Sequence, residues 1–74
     1  MERSELELIE QLSTRHDELR HLWSRHQDYE KSLTRLQDVR FPSEADRREM
    51  GRLKRMKLRG KERIHAILGE HRDL

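Results

Sequence analysis

The sequence predicts an all-α protein, an antiparallel two-helix hairpin of coiled-coil type, and three observations carry that prediction. Apolar residues recur at three- and four-residue intervals through two long segments. A single proline, Pro42, separates those segments. Folding the chain at Phe41-Pro42 then pairs the inward positions in register. Leu33 meets Met50, Glu30 meets Leu53, His26 meets Lys57, Trp23 meets Gly60, Leu19 meets Ile64 and His16 meets Ile67, each pair adding to 83. A helix seam requires that alternation of three and four. The largest side chain, Trp23, falls across from the bare Gly60, so Gly60→Leu should overpack the seam at a cost of about 1–3 kcal/mol.

Residues 1–74 are expected to form one helical-hairpin domain. Helix 1 should run from about residue 4 to 39, where Ser4-Glu5-Leu6-Glu7 has the form of a reciprocal capping box. No proline or glycine interrupts it. Pro42 disfavours helical geometry at Phe41 and ends the helix before it, leaving a turn at 40–43. Phe41 is expected to fold back over Leu36 and Val39. Ser43 should cap helix 2, with Asp46 returning the bond three residues on. Helix 2 should run from about 44 to 69, with Gly69 as its stop. Gly51 and Gly60 each cost a helix interior roughly 1 kcal/mol relative to Ala; Gly60 has Trp23 as its reason, and Gly51 has none.

The expected core is Leu19, Leu22, Trp23, Tyr29, Leu33, Leu36, Met50, Leu53, Gly60, Ile64 and Ile67. Three polar residues, His26, Glu30 and Lys57, interrupt it at seam positions. A paired-charge layer of that kind fixes register and orientation at some cost in stability. Helix 1 is the longer, so residues 1–11 should overhang their partner. Leu6, Leu8, Ile9 and Leu12 would then lie together in water, and they are expected to contact another protomer. Two hairpins forming a four-helix bundle is the simplest outcome, because 74 residues in one thin seam make a marginal core.

Charged residues make up 43% of the chain, and the formal net charge of +2 conceals an asymmetry. Residues 1–40 carry 7 basic against 9 acidic side chains; residues 41–74 carry 10 against 6. Opposite bias on antiparallel helices favours their association. Cysteine is absent, which excludes a disulfide framework and a thiolate metal site. The first residues lack the pattern of a signal peptide, and no apolar run approaches the ~18–20 residues that span a bilayer. These features lead to the expectation of a cytoplasmic protein without a membrane role.

The candidates for chemistry have stronger structural readings. His16, His21, His26, His65 and His71 include no pair at i, i+4 on one helix, the spacing a helical metal site needs. His16 and His71 fall near each other in the hairpin register, but half-buried histidines that tune assembly explain them better than a metal does. His26, Glu30 and Lys57 lack a nucleophile and a dry pocket. No catalytic, cofactor or metal residue is therefore assigned, and the chain is read as a non-enzyme. The rival to a pure interaction module is a polyanion or nucleic-acid binder using Arg48, Arg52, Arg55, Arg59 and Arg63 of the basic stretch 47–63. Aromatic residues for base stacking are nearly absent, which weighs against it.

The segment Leu53-Lys54-Arg55-Met56-Lys57-Leu58-Arg59-Gly60-Lys61-Glu62-Arg63-Ile64 resembles the second-helix signature of the small bacterial YdcH-like family. Leu53, Lys57, Leu58, Lys61 and Ile64 match that signature, and Glu62 matches in charge. On helix 1, His26-Gln27-Asp28-Tyr29-Glu30-Lys31-Ser32-Leu33 is similar to the family's His-x-x-Leu-Asp-x-x-Ile. Gly60 stands where the family has an apolar residue, and Tyr29 replaces an aliphatic one. The resemblance spans roughly residues 12–68 and implies a short bacterial helical hairpin, often self-associating, of unknown function. The expectation is a homo-oligomer, dimer or tetramer, that serves as a protein interaction or structural module.

Overall fold

The computed structural model describes residues 2–72, and every regular element among them is helical: α1 (Arg3–Ser13), α2 (Asp17–Gln37) and α3 (Glu44–Arg72). The molecule is elongated, 48 × 20 × 17 Å. Ion pairs across the long helices set their direction. Glu18 of α2 holds Arg63 of α3 at 2.8 Å, and Glu30 holds Lys57 at 3.3 Å, so α2 and α3 lie antiparallel. Where Pro42 divides the chain, the reciprocal box forms as its residues dictate. The Ser43 hydroxyl accepts from the Asp46 amide at 3.1 Å, and the Asp46 carboxylate accepts from the Ser43 amide at 3.0 Å.

Several expectations require correction. The expected first helix is two helices, broken at residues 14–16. The side chains of Ser13 and Thr14 turn back to the carbonyls of Ile9 and Gln11, at 2.6 and 2.9 Å, and compete with the helical ladder there. His16 then adopts extended backbone angles, and its ring caps α2 by accepting from the Leu19 amide at 3.2 Å. Asp17 and Glu18 follow in the first turn, where carboxylates suit the positive end of the helix. At the start of α1, Ser4 lies inside the helix; Glu2 is the cap residue and makes no side-chain cap bond. α3 continues through Gly69 to Arg72.

The break decides where residues 1–11 go. α1 turns back instead of overhanging, and Ile9 is fully buried with Leu19, Ile64, Ile67 and Leu68 in one cluster. Leu8, Leu12, Leu22 and Trp23 pack around it half-buried. Of the expected oligomer contacts, Ile9, Leu8 and Leu12 thus face their own chain, and only Leu6 is exposed. Burial of apolar area at about 25 cal/mol per Å² makes this cluster the main source of stability.

Trp23 does not fill the space before Gly60. A Cβ placed on Gly60 would meet no heavy atom within 4 Å. The indole instead stacks on His26, ring centres 5.4 Å apart and 11° from parallel. Phe41 also departs from expectation: it is 84% exposed, with the Arg40 guanidinium over its ring at 5.7 Å, and covers neither Leu36 nor Val39.

Candidate functional site

Three places in the fold gather polar or unsatisfied chemistry. The first is the expected polar layer, which the structure brings together. His26 and Glu30 are one turn apart on α2, and Nε2 of His26 lies 3.2 Å from the Glu30 carboxylate. The same carboxylate oxygen holds the Lys57 ammonium from α3. Glu30 and Lys57 are partly solvated, whereas His26 is 5% exposed. Its Nδ1 is buried without a hydrogen-bond partner among the described residues. Burial pushes the His26 imidazole below its ordinary value; Glu30 opposes that shift and Lys57 adds to it. The arrangement can accept or release a proton within the seam, and it ties two helices through one carboxylate.

The second place is the three-helix end. There His16 and His71 stand with ring centres 5.7 Å apart, edge to face, above a small pocket of ≈ 240 Å³ that Leu8, Leu12 and Arg15 also line. Because Nδ1 of His16 accepts from an amide, that nitrogen carries no proton, and the neutral ring bears its hydrogen on Nε2. A metal at Nε2 would demand that Nδ1 take the proton, which destroys the cap. Among the described residues no group of three or more His, Cys, Asp or Glu side chains is placed to hold a metal ion. His65 is engaged elsewhere, its Nε2 lying 2.9 Å from the Glu5 carboxylate of α1.

The third place is the outer surface of α3. Four arginines (Arg47, Arg48, Arg52 and Arg55) and one carboxylate, Glu49, border an open groove of ≈ 710 Å³ beside Ala45 and Gly51. The five arginines expected to form a polyanion face are all exposed, but not all free. Glu49 holds Arg52 through paired hydrogen bonds, and Glu18 holds Arg63 in the same way. Both contacts lower the carboxylates' proton affinity, the hydrogen bond being the larger cause. Glu44 reaches Arg48 only at 3.8 Å. Arg55 and Arg59 have no carboxylate within bonding distance among the described residues. Leu58, on the same outer side, is 56% exposed.

Sequence reasoning found the polar layer, because charged residues at seam positions stand out against an apolar period. It missed His16 as a helix cap and with it the third helix. The available signal was local: the Ser13-Thr14 pair followed by His16-Asp17-Glu18, a polar stop and start inside an apolar stripe.

A family model described as a protein of unknown function, DUF465, matches residues 19–68. The chain belongs to the DUF465 family. This agrees with the YdcH-like resemblance of the sequence, and it leaves the biochemical role of this DUF465 protein unknown. The match covers nearly all of α2 and most of α3, and it stops short of α1. No curated protein and no solved structure matches the chain. No helix among the described residues is long and apolar enough to cross a membrane.

Proposed function

We propose that this DUF465 protein is a non-enzymatic, cytoplasmic interaction module that self-associates, the α2–α3 pairs of two copies forming a four-helix assembly. One observation carries the reading: large apolar side chains remain in water on a molecule with little core. Phe41 is 84% and Leu58 56% exposed, against seven buried hydrophobic residues among those described. Exposed aromatic and aliphatic side chains with neighbouring arginines have the composition of protein interfaces. The contacts Glu18–Arg63, Glu30–Lys57 and Glu5–His65 join helix to helix and so serve architecture. Sedimentation equilibrium over a hundredfold range of concentration tests the reading. A mass that rises with concentration supports it; a constant monomer mass overturns it.

The arginine-lined groove beside Gly51 favours a second reading, polyanion binding by the outer surface of α3. Arg47, Arg48 and Arg55 can reach phosphates there without releasing the Arg52–Glu49 and Arg63–Glu18 pairs. Filter binding of single-stranded and duplex nucleic acid across a salt series decides it. Affinity falling steeply with salt supports this reading, and no binding at low salt removes it.

A further inference from the structure

The break between α1 and α2 occurs in a sequence that does not demand one. Residues 14–16 are Thr, Arg and His, without proline or glycine. Thr14 keeps right-handed helical angles, φ −68° and ψ −20°. His16 departs from them at φ −132° and ψ 98°, a conformation open to any residue. What holds the bend is small. Two hydroxyls sit on carbonyls of α1, and one imidazole caps Leu19. Histidine is not among the strong helix-capping side chains. Straightening the segment would return the open amides of α2 and the open carbonyls of α1 to intrahelical bonds. It would also carry Ile9 away from Leu19, Ile64, Ile67 and Leu68, which are at most 1% exposed with α1 in place.

We propose that residues 14–16 are a hinge and that α1 is exchanged between two copies of this chain. Each copy, straightened into one helix from α1 through α2, seats its Ile9 in the apolar cluster of the other. At the α1 end the exchange needs no new contacts, because Glu5 meets His65, and Leu12 and His71 line one pocket, as before, now between chains. Charge favours the same partner. α1 carries Glu5, Glu7 and Glu10 against Arg3, and α3 carries an excess of Lys and Arg, so α1 is drawn to α3 of either copy. The exchange rests on the self-association reading and names the segment that joins the copies.

The absence of cysteine makes the connection directly readable. One chain carries Glu5→Cys and a second, lengthened by a tag, carries His65→Cys; the two are unfolded, mixed and refolded, and the dimer fraction is treated with a short bis-maleimide. Exchange predicts a covalent product of mixed mass. Sedimentation equilibrium of hinge variants supplies the second arm. Thr14→Ala with Arg15→Ala and His16→Ala favours a continuous helix and should tighten dimerisation roughly tenfold. His16→Asp, a stronger cap, should weaken it roughly fivefold. Dimers that yield no mixed product, or hinge variants that leave dimerisation unchanged, overturn the exchange and leave self-association standing. A monomer at every concentration overturns both.

Discussion

The two ends of the molecule are built from the same helices and differ in what closes them. At the α1 end three helices meet, and five side chains, Ile9, Leu19, Ile64, Ile67 and Leu68, lose essentially all contact with water. At the turn end only α2 and α3 meet. Leu33 and Leu53 are buried there, Leu36 and Met50 are half-buried, and Val39 and Phe41 lie outside. One layer of helix thus separates a closed core from an open seam. A third helix of only 11 residues suffices, because each apolar residue it adds covers both of the helices below it. Between the ends lies the polar layer of His26, Glu30 and Lys57, where neither arrangement holds and charge pairing replaces packing.

Cavity-forming substitutions separate the two ends most strongly. Ile64→Ala removes a fully buried side chain from the three-helix cluster and should cost about 3–4 kcal/mol. Leu36→Ala at the half-buried turn end should cost about 1 kcal/mol, because partial exposure shrinks both the transfer and the cavity terms. Urea unfolding followed by circular dichroism measures both. Equal losses would mean that the seam is as closed at the turn as at α1, and the contrast would fail.

The polar layer makes the comparison depend on pH. Burial depresses the His26 proton affinity in the folded chain, so the unfolded chain binds the proton more readily. The neutral ring is therefore favoured above the unfolded imidazole's ordinary value, and stability falls as pH drops through the folded value. His26→Leu removes that proton uptake and a buried nitrogen without a partner, while Glu30 and Lys57 keep each other in partial solvent. The variant should be as stable as the parent within about 1 kcal/mol at pH 8. Below pH 6 it should be the more stable of the two. Unfolding curves at both pH values check this; parallel pH profiles for parent and variant would show that His26 does not sense the seam.

How far the sequence revealed this structure follows from what kind of signal each part leaves. The seam register depends on an apolar period kept over six facing pairs, and Leu19 beside Ile64 and Glu30 against Lys57 follow from it. The Ser43–Asp46 box depends on two residues three apart, and it forms as its chemistry dictates. The hinge left only a weak local signal, because its cap is an imidazole and its stop is a pair of hydroxyls, side chains that also occur within helices. Leu12 and Leu19 stand seven residues apart, so the apolar period resumes in phase beyond the bend and the pattern reads as one rod although the backbone folds back. The placement of Trp23 failed for a different reason. A register assigns opposite neighbours but not rotamers, and the indole found the flat face of His26 closer at hand than the bare backbone of Gly60. The five arginines were named as one face, and their pairing follows from position: Glu49 lies three residues before Arg52, and Glu18 is an acid of the facing helix within reach of Arg63.

Glycine at position 60 yields a smaller effect, opposite in sign to the seam-overpacking expectation. A Cβ there meets nothing within 4 Å, so Gly60→Ala should stabilise by about 0.5–1 kcal/mol, the helix-propensity difference alone. A loss in the urea midpoint would mean that the indole does reach Gly60 in solution. The smallest effect on stability belongs to the most exposed side chain. Phe41 is 84% exposed and contacts the Arg40 guanidinium, so Phe41→Ser should change the unfolding free energy by less than about 0.5 kcal/mol. If the open end of the seam is also where other molecules attach, the same substitution should weaken self-association in sedimentation equilibrium while leaving the monomer's helicity untouched. A variant that associates as tightly as the parent would move the contact surface to Leu58 or to α1, and the openness of the turn end would then be a property of the fold without a use in assembly. The separation between the two measurements is what makes the experiment decisive: a residue outside the core can lose its partner without the core registering the loss.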